Sequence, residues 1–162
     1  VYTVLTAVNA DGLGRHLERI VERSRSARRA PPPVLVAFTK PVGDALAHLP
    51  VLGLTPGDRA RHARDAVAAA GSLGLTLGIR NLPACLAPEL SDRLIDYYLE
   101  DFSIDVATRE RLSYAHNTEH LEPVDACRSC AHRAACPGVY REDAARFGTT
   151  DYRPLDDAGL AT

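Results

Sequence analysis

The sequence predicts an α/β fold: a parallel sheet with crossover helices, followed by an irregular, cysteine-rich region. Three observations lead there. Short β-branched runs alternate with helical patterns through residues 1–82. Gly and Pro punctuate the joints between them. Beyond Ile79 the periodicity fades, and three of the four cysteines crowd between positions 127 and 136.

The elements follow in order. Val1 to Val8 is β-branched and aromatic and reads as a strand. A helix follows, with Leu13, Leu17, Ile20 and Val21 at helical spacing, Asp11 as its N-cap, and "APPP" as its stop. "VLVAF", Val34 to Phe38, is a continuous apolar run of strand length, as in a strand covered on both faces. "TKPVGDALAHLPVLG" reads as a loop. The clearest helix comes next: Thr55 caps it, Pro56 takes its first position, Asp58 lies in its first turn, and Gly71 or Gly74 ends it. Leu75 to Ile79 is a third strand. Three strands cannot close a barrel, so they form a small open sheet or part of a larger (β/α) assembly. Downstream, "ELSDRLIDYYLEDF" reads as a helix on Leu90, Leu94, Tyr97, Tyr98 and Phe102. Residues 103–125 show no strong period. A short helix is predicted from Val139 to Phe147, ended by Gly148.

The totals bound the function. The 162 residues are 46% hydrophobic and 25% charged, enough for a packed core. The net charge of −2 gives no global attraction to nucleic acid or to an anionic membrane. No apolar run approaches the ~20 residues that span a bilayer, and no basic-then-apolar leader opens the chain. The reading is cytoplasmic, where thiols stay reduced. The chain opens on Val directly in strand-like sequence, which predicts a piece of a longer protein.

Cys127, Cys130 and Cys136 have the spacing C-x2-C-x5-C, and Cys85 follows the third strand in "NLPAC". Two cysteines three apart can aim thiolates at one centre around a tight turn. A third returns on a short loop, and Cys85 makes four. Disulfides, a redox C-x-x-C, zinc and an iron–sulfur cluster all use such thiols. No leader calls for disulfide staples, and no strand directly precedes the C-x-x-C. Zinc sites usually pair two short ligand hairpins, whereas Cys85 stands alone; His116, His120 or His132 could substitute, and His132, inside the loop, is the one to test. A four-thiolate [4Fe-4S] cluster is the favoured reading and zinc the alternative. His16, His48 and His62 read as surface residues, as do Arg128, Arg133 and Arg141.

"CRSCAHRAACPGVYREDAARFGTTDYRPL" resembles the end of radical S-adenosylmethionine proteins that carry a SPASM or twitch auxiliary-cluster region. The shared features are C-x2-C-x5-C-x-G, the Phe147-Gly148 pair, Pro154 downstream, and an upstream Pro-x-Cys in "NLPAC". "VYTVLTAVNADGL", "VLVAFTKPVGDAL" and "LGLTLGIRNLPAC" resemble the fourth, fifth and sixth strands of that family's partial barrel. The resemblance implies that residues 1–82 are the C-terminal half of the barrel and residues 83–162 the auxiliary region. It implies that Cys85, Cys127, Cys130 and Cys136 hold one [4Fe-4S] cluster. It places Thr6, Asn9, Gly43, Arg80 and Asn81 at strand ends, where S-adenosylmethionine binds. It makes Gly138 a residue where backbone approaches the cluster. The family's own C-x3-C-x2-C loop is absent from these 162 residues, so the S-adenosylmethionine-cleaving cluster is expected on a missing N-terminal half. The substrate class implied is a peptide or a cofactor precursor.

Overall fold

The computed structural model describes residues 1–95, 102–104, 111–113, 120–134 and 136–157. In chain order, β1 spans Tyr2–Leu5, α1 Leu13–Ser26 and β2 Val34–Phe38. Two four-residue helices follow, α2 Asp44–Ala47 and α3 Leu49–Leu52, where the sequence reads as a loop. Then come α4 Pro56–Leu73 and β3 Leu77–Arg80. The later half holds β4 Phe102–Ile104, β5 Arg111–Ser113, β6 Leu121–Glu122, β7 Val139–Tyr140 and α5 Arg141–Phe147, with 3-10 turns between them.

β1, β2 and β3 form a parallel sheet in that order, with Thr3 beside Val36 and Val36 beside Ile79. This is the mixed α/β arrangement that the alternation predicts, and the sheet does not close into a barrel. Side chains alternate across a strand. One face therefore carries Leu5, Val34, Val36, Phe38, Leu77 and Ile79, all buried with Leu13, Leu17 and Val21 of α1 and Ala63, Ala66 and Ala70 of α4. On the other face Tyr2 and Val4 are exposed, while Ile95 lies over Gly78.

α4 forms where its local signals place it. Thr55 Oγ1 accepts from Asp58 N at 3.1 Å, Pro56 holds the first position, and Gly74 ends the helix at φ +65°, a left-handed conformation that glycine takes at little cost. Thr55 Oγ1 also donates to the Asp58 carboxylate at 2.7 Å. That bond, with the one from Arg61, holds the Asp58 carboxyl below its ordinary value. Thr55→Ala should lower stability by about 1 kcal/mol. It should also move the Asp58 titration back up, which an NMR pH titration reads directly.

The helix expected around residues 89–102 does not form over its described part. Pro88–Arg93 is a 3-10 turn, and Leu94 bridges Ile79 in parallel as Ile95 N donates to Ile79 O at 2.8 Å. The free edge of β3 takes these apolar residues as an added strand position, and that pairing overrides the helical spacing. Tyr97 and Tyr98 lie outside the described residues. Phe102 belongs to β4, which pairs antiparallel with β5 where no period was evident. The first helix is entered through a 3-10 turn at Ala10–Gly12, so Asp11 does not cap it. The last helix starts at Arg141, because Val139 and Tyr140 pair with Glu122 and Leu121.

Candidate metal centre

The four cysteines come from two segments that α4 holds in place. Cys85 lies in the 3-10 turn Ala84–Leu86, just beyond β3. Arg64 Nη2 of α4 donates to Leu86 O at 3.2 Å, and its Nε pairs with Glu89. At the start of α4, Gly57 N donates to the Asp151 carboxylate at 2.9 Å, giving an otherwise open first-turn N–H an acidic partner. Arg59 forms an ion pair with Asp143 of α5 at 2.6 Å, with the two side chains 3% and 1% exposed. Burial pushes the Asp143 carboxyl upward, while Arg59 pulls it back down. Tyr152 is buried in the common core and its hydroxyl is pushed up by that burial.

The segment bearing the other three thiols is a chain of tight turns. Cys127 N donates to Val124 O, Arg133 N to Cys130 O and Cys136 N to His132 O, at 2.9, 3.1 and 3.0 Å. Cys127 falls in the 3-10 turn Asp125–Ser129, and Cys130 is the extended residue that follows it. Three residues make one 3-10 turn, which brings positions three apart to the same side. Leu155 closes the loop from the tail: its O accepts from Ala131 N at 2.9 Å and its N–H donates to Cys130 Sγ at 3.5 Å. N–H donors to sulfur are one of the levers that tune thiolate-held clusters.

None of the four thiols is in a disulfide, all four are half-buried, and all four line one cavity of about 620 Å3. Burial pushes the Cys85 thiol up to about 12, and the charges of Cys136, Cys127 and Cys130 push it the same way. Among the described residues, no group of three or more Cys, His, Asp or Glu side chains is arranged as a metal-ion site. The thiols line a space of the size that holds bound molecules. The chemistry of the donor set, four thiols on one cavity, is that of a thiolate-held metal group. His132 also lines the cavity but is exposed, on its rim.

The other expected site residues fall at the C-terminal ends of the parallel strands, but only Asn81 reaches this cavity. Thr6 and Asn9 close a turn on themselves: Asn9 Oδ1 accepts from Thr6 N at 2.9 Å and its Nδ2 donates to Val4 O at 3.0 Å. Gly43, at φ +56°, precedes the short α2 and faces open space. Arg80 ends β3 opposite Ala37 and is half-buried. Asn81 adopts φ +60°, and its Nδ2 donates to Phe38 O at 2.8 Å. It turns the chain out of β3 toward Cys85, a conformation Asn tolerates better than most residues.

Gly138 lines the cavity and has a second close neighbour that its place in the motif does not suggest. It adopts φ +107°, and a Cβ there would collide with the Glu122 carbonyl and sit 2.7 Å from Pro123 N. Its backbone packs closely against that of β6. His62 is not a surface residue: it is 5% exposed on α4, with Arg61 Nη2 3.1 Å from its Nε2. Arg59, Asp143, Tyr152 and Asp151 do not stand out in the sequence. One signal existed: Pro56, Arg59, Ala63, Ala66 and Ala70 share the buried stripe of α4, so an arginine sits where apolar residues belong. Comparison with family models, with curated proteins and with solved structures finds no match to this chain.

Proposed function

We propose that this chain is the C-terminal portion of a radical S-adenosylmethionine enzyme and that Cys85, Cys127, Cys130 and Cys136 hold one auxiliary [4Fe-4S] cluster. The observation that carries the reading is the shared cavity: the four cysteines, 42 or more positions apart between Cys85 and the rest, line one space of about 620 Å3. The parallel three-strand sheet with helices buried on one face supports residues 1–82 as part of a larger (β/α) assembly. Residues 83–162 carry the auxiliary region.

A cluster held there supplies one-electron transfer. The protein's part is to hold and shield it. Leu82, Val139, Tyr152 and Leu155 are buried in the cavity wall and give it an apolar side. The Leu155 N–H, aimed at Cys130 Sγ, stabilises negative charge on that sulfur. Four thiolates complete the ligand set, so the role is electron relay in support of modification of a peptide or cofactor precursor. The cluster that cleaves S-adenosylmethionine belongs to the N-terminal half of the enzyme. Thr6, Asn9, Gly43, Arg80 and Asn81 are the residues proposed to face that cofactor, at the sheet end where α/β folds bind ligands. No helix among the described residues is long and apolar enough to cross a membrane, which is compatible with the cytoplasmic setting we propose.

Cys85→Ala tests the ligand set. The variant, reconstituted anaerobically with iron and sulfide, should retain less than about half of the iron of the unaltered chain, since four thiolates are the normal complement of such a cluster. Unchanged iron content would remove Cys85 from the set.

A further inference from the structure

The two long helices carry their charges differently. Every arginine of α4 is matched: Arg59 to Asp143, Arg61 to Asp58 and Asp65, and Arg64 to Glu89. Residues 15–29 hold six arginines against two glutamates, and all six arginines are exposed. Among the described residues, none of Arg15, Arg19 and Arg23 has an ion pair or a side-chain hydrogen bond, although Glu18 and Glu22 lie within three positions. The three arginines follow one another at i, i+4 and i+8. They therefore stack on one stripe of α1, opposite the buried Leu13, Leu17 and Val21. Like charges one turn apart repel, and Arg15 lies in the first turn, where the helix dipole disfavours a cation. Gly14 beside it is a weak helix former. The arrangement costs helix stability within α1 itself, whatever charges lie elsewhere in the chain. None of these arginines lines the cysteine cavity.

We propose that this arginine stripe of α1 is a docking surface for an extended acidic peptide segment. Spacing decides the kind of partner. Positions four apart on a helix rise by about 6 Å. Alternate residues of an extended chain share one face and repeat at about 6.6 Å. Carboxylates at every second residue therefore meet Arg15, Arg19 and Arg23 in turn, and each guanidinium can hold a carboxylate through two N–H donors. A helical partner fits less well. The other exposed side chains of α1 are His16, Glu18, Glu22, Arg25 and Ser26, which offer no apolar ridge to pack against. The same lack of an exposed apolar side chain opposes insertion into a membrane. Nucleic acid is disfavoured too: residues 13–29 contain no Phe, Tyr or Trp for a base to stack on, and Glu18 and Glu22 flank the stripe. The inference does not depend on the cysteine cavity or on any metal.

The test uses the full chain and a short fluorescent peptide that alternates Glu with Thr. Fluorescence anisotropy at low salt should show saturable binding that weakens as salt is added. The triple substitution Arg15→Gln, Arg19→Gln and Arg23→Gln should weaken that binding about tenfold. A second peptide of the same composition carries its glutamates in one consecutive block. It turns half of them to the wrong face and should bind more weakly than the first. Thermal unfolding of the triple variant should not move downward, because the substitutions remove repulsion from an exposed helix face. No binding, equal binding of the two peptides, or an unchanged affinity in the triple variant would overturn the surface. A single-stranded oligonucleotide or a phosphatidylglycerol vesicle that binds more tightly than the alternating peptide, and loses that binding in the triple variant, would overturn the choice of partner.

Discussion

Asp143→Ala should unfold much of the molecule's margin of stability, by about 3–5 kcal/mol, the range for removing one partner of a buried ion pair. Its carboxylate is 1% exposed and lies 2.6 Å from Arg59, which is 3% exposed. Without it, the guanidinium is left charged in a dry site beside Tyr152. Chemical denaturation of the variant reads the loss. Replacing both partners by apolar residues of similar size, Arg59→Met with Asp143→Leu, should recover most of it, because no charge is then stranded. If the single substitution costs under about 1 kcal/mol, the range of an exposed pair, the pair does not join α4 to α5 in the folded chain. The pair joins α5 to the helix that also holds Leu86, next to Cys85.

Gly138→Ala should cost about 2–5 kcal/mol, combining a left-handed backbone with a collision. At φ +107° an L side chain is strained, and the new Cβ would run into the Glu122 carbonyl and Pro123 N, which are backbone and cannot swing aside. The antiparallel pairing of Leu121 with Tyr140 and of Glu122 with Val139 should be lost first. Hydrogen exchange at Tyr140 and Leu121 would rise well before that in β2. Equal protection in both chains would show that the ladder does not depend on this glycine. Because Cys136 is two residues away, iron retention should fall with the ladder.

What the sequence made legible was mostly local. α4 was readable to within a residue because Thr55, Pro56, Asp58 and Gly74 each act through bonds within one turn. β2 was readable because a continuous apolar run has few other uses. The association of Cys85 with the distant thiols followed from counting ligands, and the cavity supports that grouping. The rest depended on partners far along the chain. Leu94 and Ile95 have helical spacing, yet the open edge of β3 claims them. Arg59 and Asp143 are 84 positions apart and look like ordinary surface charges until folding joins them. Gly138 lines the cysteine cavity as its place in the motif suggests, but its contact with Glu122 and Pro123 was not readable, since a motif records that a glycine is needed and not what presses against it. Thr6 and Asn9 occupy a strand end, and the hydrogen bonds that they make within their own turn were not readable from it.

The central claim is that these four thiols carry one iron–sulfur cluster. Anaerobic purification, with a visible spectrum and analysis of iron, sulfide and zinc, tests it most directly. The account predicts a brown protein with broad absorption and about four iron and four sulfide per chain. A colourless protein holding one zinc and no sulfide would contradict it.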